Sequence, residues 1–111
     1  MPAFDQFDVV SVPFPYIDRA ARERRPALVI SKPILQSSFG LLWVLMITAV
    51  ENRRWQHDVT IPDHGAVGLP IPSIIRPSKV ATVEAGRAKL LGKLPPEIAA
   101  AISAVVSALV L

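Results

Sequence analysis

Val10, Val12 and Phe14 alternate with Val9, Ser11 and Pro13. This period of two predicts a half-buried strand over Asp8 to Phe14, and Pro13 and Pro15 place its far end at an edge or an exit into a loop. Ala27 to Ser31 is a continuous apolar run stopped by Lys32-Pro33, the signature of a second, buried strand. A third and longer strand is predicted over Leu41 to Val50, entered through Gly40 and rich in branched residues; it is assigned the centre of the sheet, with Trp43 in the core. His57 to Pro62 alternates weakly, and Gly65, Gly68, Pro70 and Pro72 punctuate a loop. Further strand-like runs follow at Ser73 to Arg76, Lys79 to Val83 and Ala88 to Leu91, for five or six short strands in all.

The period changes after Leu94. Pro95-Pro96 suits a helix start, Glu97 suits the positive end of a helix, and Ile98, Ile102, Val105, Val106 and Leu109 fall on one stripe. A terminal helix packing this stripe on the sheet is expected. Its other face is Ala and Ser, small enough for close contact with a second element, either from a partner chain or from the domain's own core.

With 111 residues, 51% of them apolar, the chain has material for one domain, 1–111, with a real core, and too little for two. The absence of cysteine excludes a disulfide framework and thiolate metal sites, and the N-terminus lacks a secretory pattern, so the cytoplasm is the expected compartment. The apolar run Ile98 to Leu111 would span about 21 Å as a helix, short of a hydrocarbon core of about 30 Å, and it has no basic face for the membrane surface. No membrane role is expected.

The formal charge is only +3, but Asp18 to Arg25 holds four arginines against Asp18 and Glu23, a local balance of +2. Such a concentration favours polyanionic partners, although a solvated hairpin tip has the same composition. Arg25 stands at the mouth of the second strand, where a guanidinium stays hydrated while the following apolar run is buried. On chemistry alone the favoured reading is that it caps a hairpin or pairs with Asp18 or Glu23. Trp55, flanked by Arg54, Gln56 and His57, has the setting of a base-stacking ring or of a simple surface aromatic. His57 and His64 lie seven apart with Asp58 and Asp63 between them, a spacing that matches no recognised metal site. Arg76 and Lys79 read as surface charges within reach of phosphate.

Asp8-Val9-Val10-Ser11-Val12-Pro13-Phe14-Pro15, then Arg25-Pro26-Ala27-Leu28-Val29-Ile30-Ser31, then Ile47-Thr48, resemble in order and spacing the MazF/PemK family of toxin–antitoxin ribonucleases. Pro72-Ser73-Ile74-Ile75-Arg76-Pro77 and Leu91-Gly92-Lys93-Leu94 before the terminal helix are similar to that family's second half, so the likeness covers nearly the whole chain. It implies a mainly β fold with a C-terminal α-helix, a small SH3-like (MazF/CcdB-like) barrel. It also implies a homodimeric, cofactor-free and metal-independent endoribonuclease acting on single-stranded RNA, mRNA included, and held in check by a cognate antitoxin. The active pair implied is Arg25 and Thr48.

Each has a chemical reason to be there. When a ribose 2′-hydroxyl attacks the adjacent phosphorus, charge builds on the phosphoryl oxygens, which a planar guanidinium meets with two parallel hydrogen bonds. A threonine hydroxyl on a rigid strand adds a donor with little reorganisation. Arginine is a poor base at neutral pH, so Glu23 and His57 are the candidate bases. Arg22, Arg24, Trp55 and Arg76 are the candidate RNA contacts. The chain departs from the family in lacking a Gly-Ser-Glu-Gln stretch before the arginine, which leaves open a member that binds RNA or a partner without cutting. A CcdB-like gyrase poison of the same fold is the other rival. It ranks lower because the chain closes with Ala108-Leu109-Val110-Leu111 and no tryptophan.

Overall fold

Period-two alternation becomes a single antiparallel sheet in the computed structural model, which describes residues 3–13, 23–52 and 54–110. The strands are β1 (Asp8–Pro13), β2 (Arg24–Val29), β3 (Leu41–Ala49), β4 (Val59–Thr60), β5 (Ser73–Glu84) and β6 (Lys89–Lys93). Two helices, α1 (Pro33–Phe39) and α2 (Pro96–Val110), complete the fold. The strand order is β4-β5-β3-β2-β1-β6, so β3 lies inside the sheet as its apolar run predicts.

Both faces of the sheet are covered, which is why its inner strands read as unbroken apolar runs. On one face Val10, Val12, Ala27, Val29, Leu42, Val44, Ala81 and Val83 form a core. On the other, Val9, Leu28, Leu45, Ile47 and Ile75 pack against Ile102 and Ala99 of α2. Ile102 is fully buried, with Ile98 and Val106 packed beside it, whereas Leu109 at the end of the stripe is exposed. A buried side chain of this size contributes about 1.5–3 kcal/mol.

The sheet curls into a half-barrel because its two ends meet. The 3₁₀ turn Gly65–Val67, which follows end strand β4, lies against end strand β6. Gly68, at φ +80°, and Gly92 sit at this seam. A Cβ on Gly68 would lie 2.2 Å from the Leu91 carbonyl oxygen, and one on Gly92 2.5 Å from that of Val67. Only glycine lets two backbones come so close.

Two expectations are corrected, and one helix stands where the sequence pattern predicts no element. Ser73 to Arg76 and Lys79 to Val83 belong to one strand, β5, in which the register jumps from Met46↔Arg76 to Leu45↔Val80 and leaves Pro77, Ser78 and Lys79 outside the ladder. Proline has no N–H for a ladder, and the bulge absorbs it. Trp43 is not core: it is 50% exposed near the start of its strand, opposite Thr82. Helix α1 occupies a stretch with no apolar stripe and no buried residue; Pro33 starts it and Gly40, left-handed at φ +69°, ends it by donating its N–H to the Gln36 carbonyl at 2.8 Å. Among the described residues no helix is long and apolar enough to cross a membrane.

Candidate active site

Strands β2 and β3 pair as Val29↔Val44, Leu28↔Leu45 and Ala27↔Met46. Carried two residues past the last pair, that register sets Arg25 opposite Thr48. The ladder stops short of them, and the two chain segments open into a groove of about 310 Å3 that Arg25 and Thr48 both line, with Ser11, Asn52, Ile71 and Ser73. A charged side chain and a hydroxyl far apart in sequence thus share one wall by strand register.

The Arg25 side chain is 40% exposed, and its nearest acid, Glu23, is 3.6 Å away. That is longer than a good charge-assisted hydrogen bond, which leaves the fork able to take another anion. Among the described residues the buried Arg25 Nε has no hydrogen-bond partner.

Arg24, next in the chain, is spent differently. Its Nε donates to Ser11 Oγ at 3.0 Å, and its Nη2 donates to the carbonyls of Ser11 and Arg87. It ties the start of β2 to β1 and to the turn before β6, so it holds the strand that carries Arg25. Arg24 also lines the groove beside Arg25. Arg22 lies outside the described residues.

Thr48 is half-buried at the end of β3, and its Oγ1 accepts a hydrogen bond from Asn52 Nδ2 at 2.5 Å. The sequence reading passed over Asn52. A single asparagine in a polar loop carries no signal until the chain turns back and places it four residues on, against the threonine.

The remaining candidates are spread around the groove. Glu23 is exposed and adjoins Arg25. His57 sits in a turn at φ +73°, exposed, and does not line the groove. Trp55 is 39% exposed, and its ring rests over the Arg76 guanidinium, 4.4 Å from centroid to Cζ, with Lys79 Nζ at 5.5 Å. Arg76 is a correction: it is no surface charge but a buried one, with its Nε and Nη2 donating to the two carboxylate oxygens of Asp58. Its guanidinium is engaged by a buried carboxylate and forms the base on which Trp55 lies. Among the described residues no three His, Asp or Glu side chains gather as a metal site would need.

The model of the family described as "PemK-like, MazF-like toxin of type II toxin-antitoxin system" matches residues 5–110. The fold is similar to MazF from Deinococcus radiodurans, with a TM-score of 0.76 and 23% identity over 98% of this chain and 97% of that one. It is also similar to a MazE-MazF crystal structure from the same organism, with a TM-score of 0.77 and 21% identity over 98% and 96% of the two chains. A third likeness is to an endoribonuclease in complex with its cognate antitoxin from a mycobacterial species, with a TM-score of 0.74 and 14% identity over 96% and 93%. At these identities the likenesses speak for the fold. A search of curated proteins finds no match.

Proposed function

The chain belongs to the PemK-like, MazF-like toxins of type II toxin–antitoxin systems, and from that premise we propose that it is a metal-independent endoribonuclease cutting single-stranded RNA, mRNA included. The observation that carries the reading is the meeting of Arg25 and Thr48 in one groove. The substrate's own 2′-hydroxyl attacks the neighbouring phosphorus, and the 5′-oxygen leaves. The products are a cyclic phosphate and a 5′-hydroxyl. Arg25 offers its fork to the non-bridging oxygens as their charge grows, and its Nε, unpartnered among the described residues, gains an acceptor there. Thr48 donates its hydroxyl to the same phosphate and keeps it in line. DNA binds in this scheme without reacting, because the nucleophile is the ribose hydroxyl.

Of the two candidate bases, neither of which lines the groove, Glu23 is favoured because it adjoins Arg25. Trp55 is the proposed stacking platform for a base of the bound strand. The regulator proposed is a cognate antitoxin whose acidic segment competes with RNA for the Arg25 groove, by charge complementarity. The acting form proposed is a homodimer in the cytoplasm.

The test is incubation of the purified protein with mixed RNA in chelator, beside an Arg25→Ala control, with mapping of the ends produced. Cyclic phosphate and 5′-hydroxyl ends that vanish in the control are expected. RNA left intact by both proteins rejects nuclease activity and returns the chain to the binding-only reading.

A further inference from the structure

We propose that Asn52 is a positioning residue for the reaction, one that fixes the direction in which the Thr48 hydroxyl gives its proton. This rests on the nuclease reading of the same groove. A threonine hydroxyl has one hydrogen and can rotate it to any acceptor within reach. An amide nitrogen can only donate, so the bond from Asn52 Nδ2 occupies a lone pair of Thr48 Oγ1 and leaves the hydroxyl hydrogen unused. Among the described residues Asn52 is the side-chain partner of that hydroxyl. Both residues line the groove with Arg25, so a phosphate held there by Arg25 is the acceptor placed to receive the hydrogen.

The asparagine is itself held. Its backbone N–H donates to the Ala49 carbonyl at 3.0 Å, and the Val50 N–H donates to the Pro72 carbonyl at 3.1 Å, so the turn after β3 is closed on itself and pinned to the segment leading into β5. The amide is therefore delivered to Thr48 by backbone hydrogen bonds on both sides of the turn. A donor set before substrate arrives needs no reorientation as charge develops, which is the condition under which a hydrogen bond favours the transition state over the ground state.

The experiment is a double-mutant cycle of Asn52→Leu and Thr48→Ala, read as kcat and KM on one RNA, with a melting curve for each variant. Asn52→Leu alone is expected to lower kcat by about two- to tenfold, the value of one oriented hydrogen bond, with KM unchanged. In the Thr48→Ala background the same substitution should change nothing further. Equal losses in both backgrounds, or no loss in either, would overturn the proposal. A second readout needs no cleavage: one side-chain amide proton of Asn52 should exchange slowly by NMR in the wild type and lose that protection in Thr48→Ala. If RNA stays intact while this protection is present and Thr48-dependent, the nuclease reading falls and the hydrogen bond stands. If protection is independent of Thr48, the positioning role is rejected whatever the activity.

Discussion

Arg76 holds Asp58 through two parallel hydrogen bonds, Nε to Oδ1 at 3.2 Å and Nη2 to Oδ2 at 3.0 Å, with side-chain exposures of 8% and 0%. The pairs Val59↔Ile75 and Thr60↔Ile74 bring Asp58 beside Arg76, and the carboxylate also accepts the Trp55 N–H at 2.8 Å. A buried pair of this kind is costly to break from one side, because the survivor is left charged and unpaired. Arg76→Ala or Asp58→Ala is expected to lower stability by about 3–5 kcal/mol. The double change Arg76→Met with Asp58→Leu should recover most of that loss. Urea unfolding of the three variants checks it; a double variant as unstable as either single one would assign the loss to packing.

The same pair explains what Trp55 can do. One side of its ring lies on Arg76, itself anchored, and the ring remains 39% exposed. A base stacked on such a supported ring gains about 1–3 kcal/mol. Trp55→Ala is therefore expected to weaken binding of a 2′-deoxy oligonucleotide by about tenfold, while Trp55→Phe keeps most of the affinity. Anisotropy of a dye-labelled oligonucleotide gives the affinity of all three proteins. Unchanged affinity in Trp55→Ala would take this ring off the RNA path.

What could be read before the coordinates divides along physical lines. β1, β2, β3 and α2 were legible because burial imposes a period of two, an unbroken run or a stripe on their residues. Helix α1 was not, since it buries nothing and so leaves no pattern. Trp43 misled because side-chain size argues for burial, while the position is half exposed. In the site, Arg25 and Thr48 could be paired only through the family resemblance; the register that sets them opposite depends on how β2 meets β3, which no local signal encodes. Arg76 was read as exposed because its partner, Asp58, lies 18 residues away, just before β4.

Lys93 joins the end of β6 to the start of β1, with its Nζ 2.6 Å from Asp8 Oδ1 and 3.3 Å from Asp5 Oδ2. The hydrogen bond to Asp8, and then that to Asp5, hold the ammonium above its ordinary value of 10.5. A cation raised in the folded state contributes stability that is fully present below its unfolded value and is lost as pH climbs through the folded one. The wild type should thus lose more stability than Lys93→Met as pH rises through and above about 10.5. From about pH 6 to pH 9, where Asp5 and Asp8 are ionised and Lys93 is protonated, the gap between the two proteins should be constant. Urea midpoints across this range test the sign; a gap that widens with rising pH would contradict it.

Closure of the half-barrel rests on the two glycines at its seam, and their failure should differ in kind. A Cβ on Gly92 meets the Val67 carbonyl oxygen at 2.5 Å and its carbon at 2.6 Å, backbone atoms that cannot rotate away. Gly92→Ala must then push the 3₁₀ turn off β6, at about 1–3 kcal/mol. Gly68→Ala adds a second cost, because its φ of +80° is disfavoured for a residue with a side chain by about 1–2 kcal/mol. Gly68 and Leu91, on the two sides of this seam, also line the groove that holds Arg25. Both variants should therefore lower stability, Gly68→Ala the more, and both should loosen the far wall of the groove and raise KM for RNA while kcat changes less. Urea unfolding beside hydrogen exchange of the β6 amides separates the effects. A Gly92→Ala protein of wild-type stability, with β6 still protected, would show that the seam yields without strain.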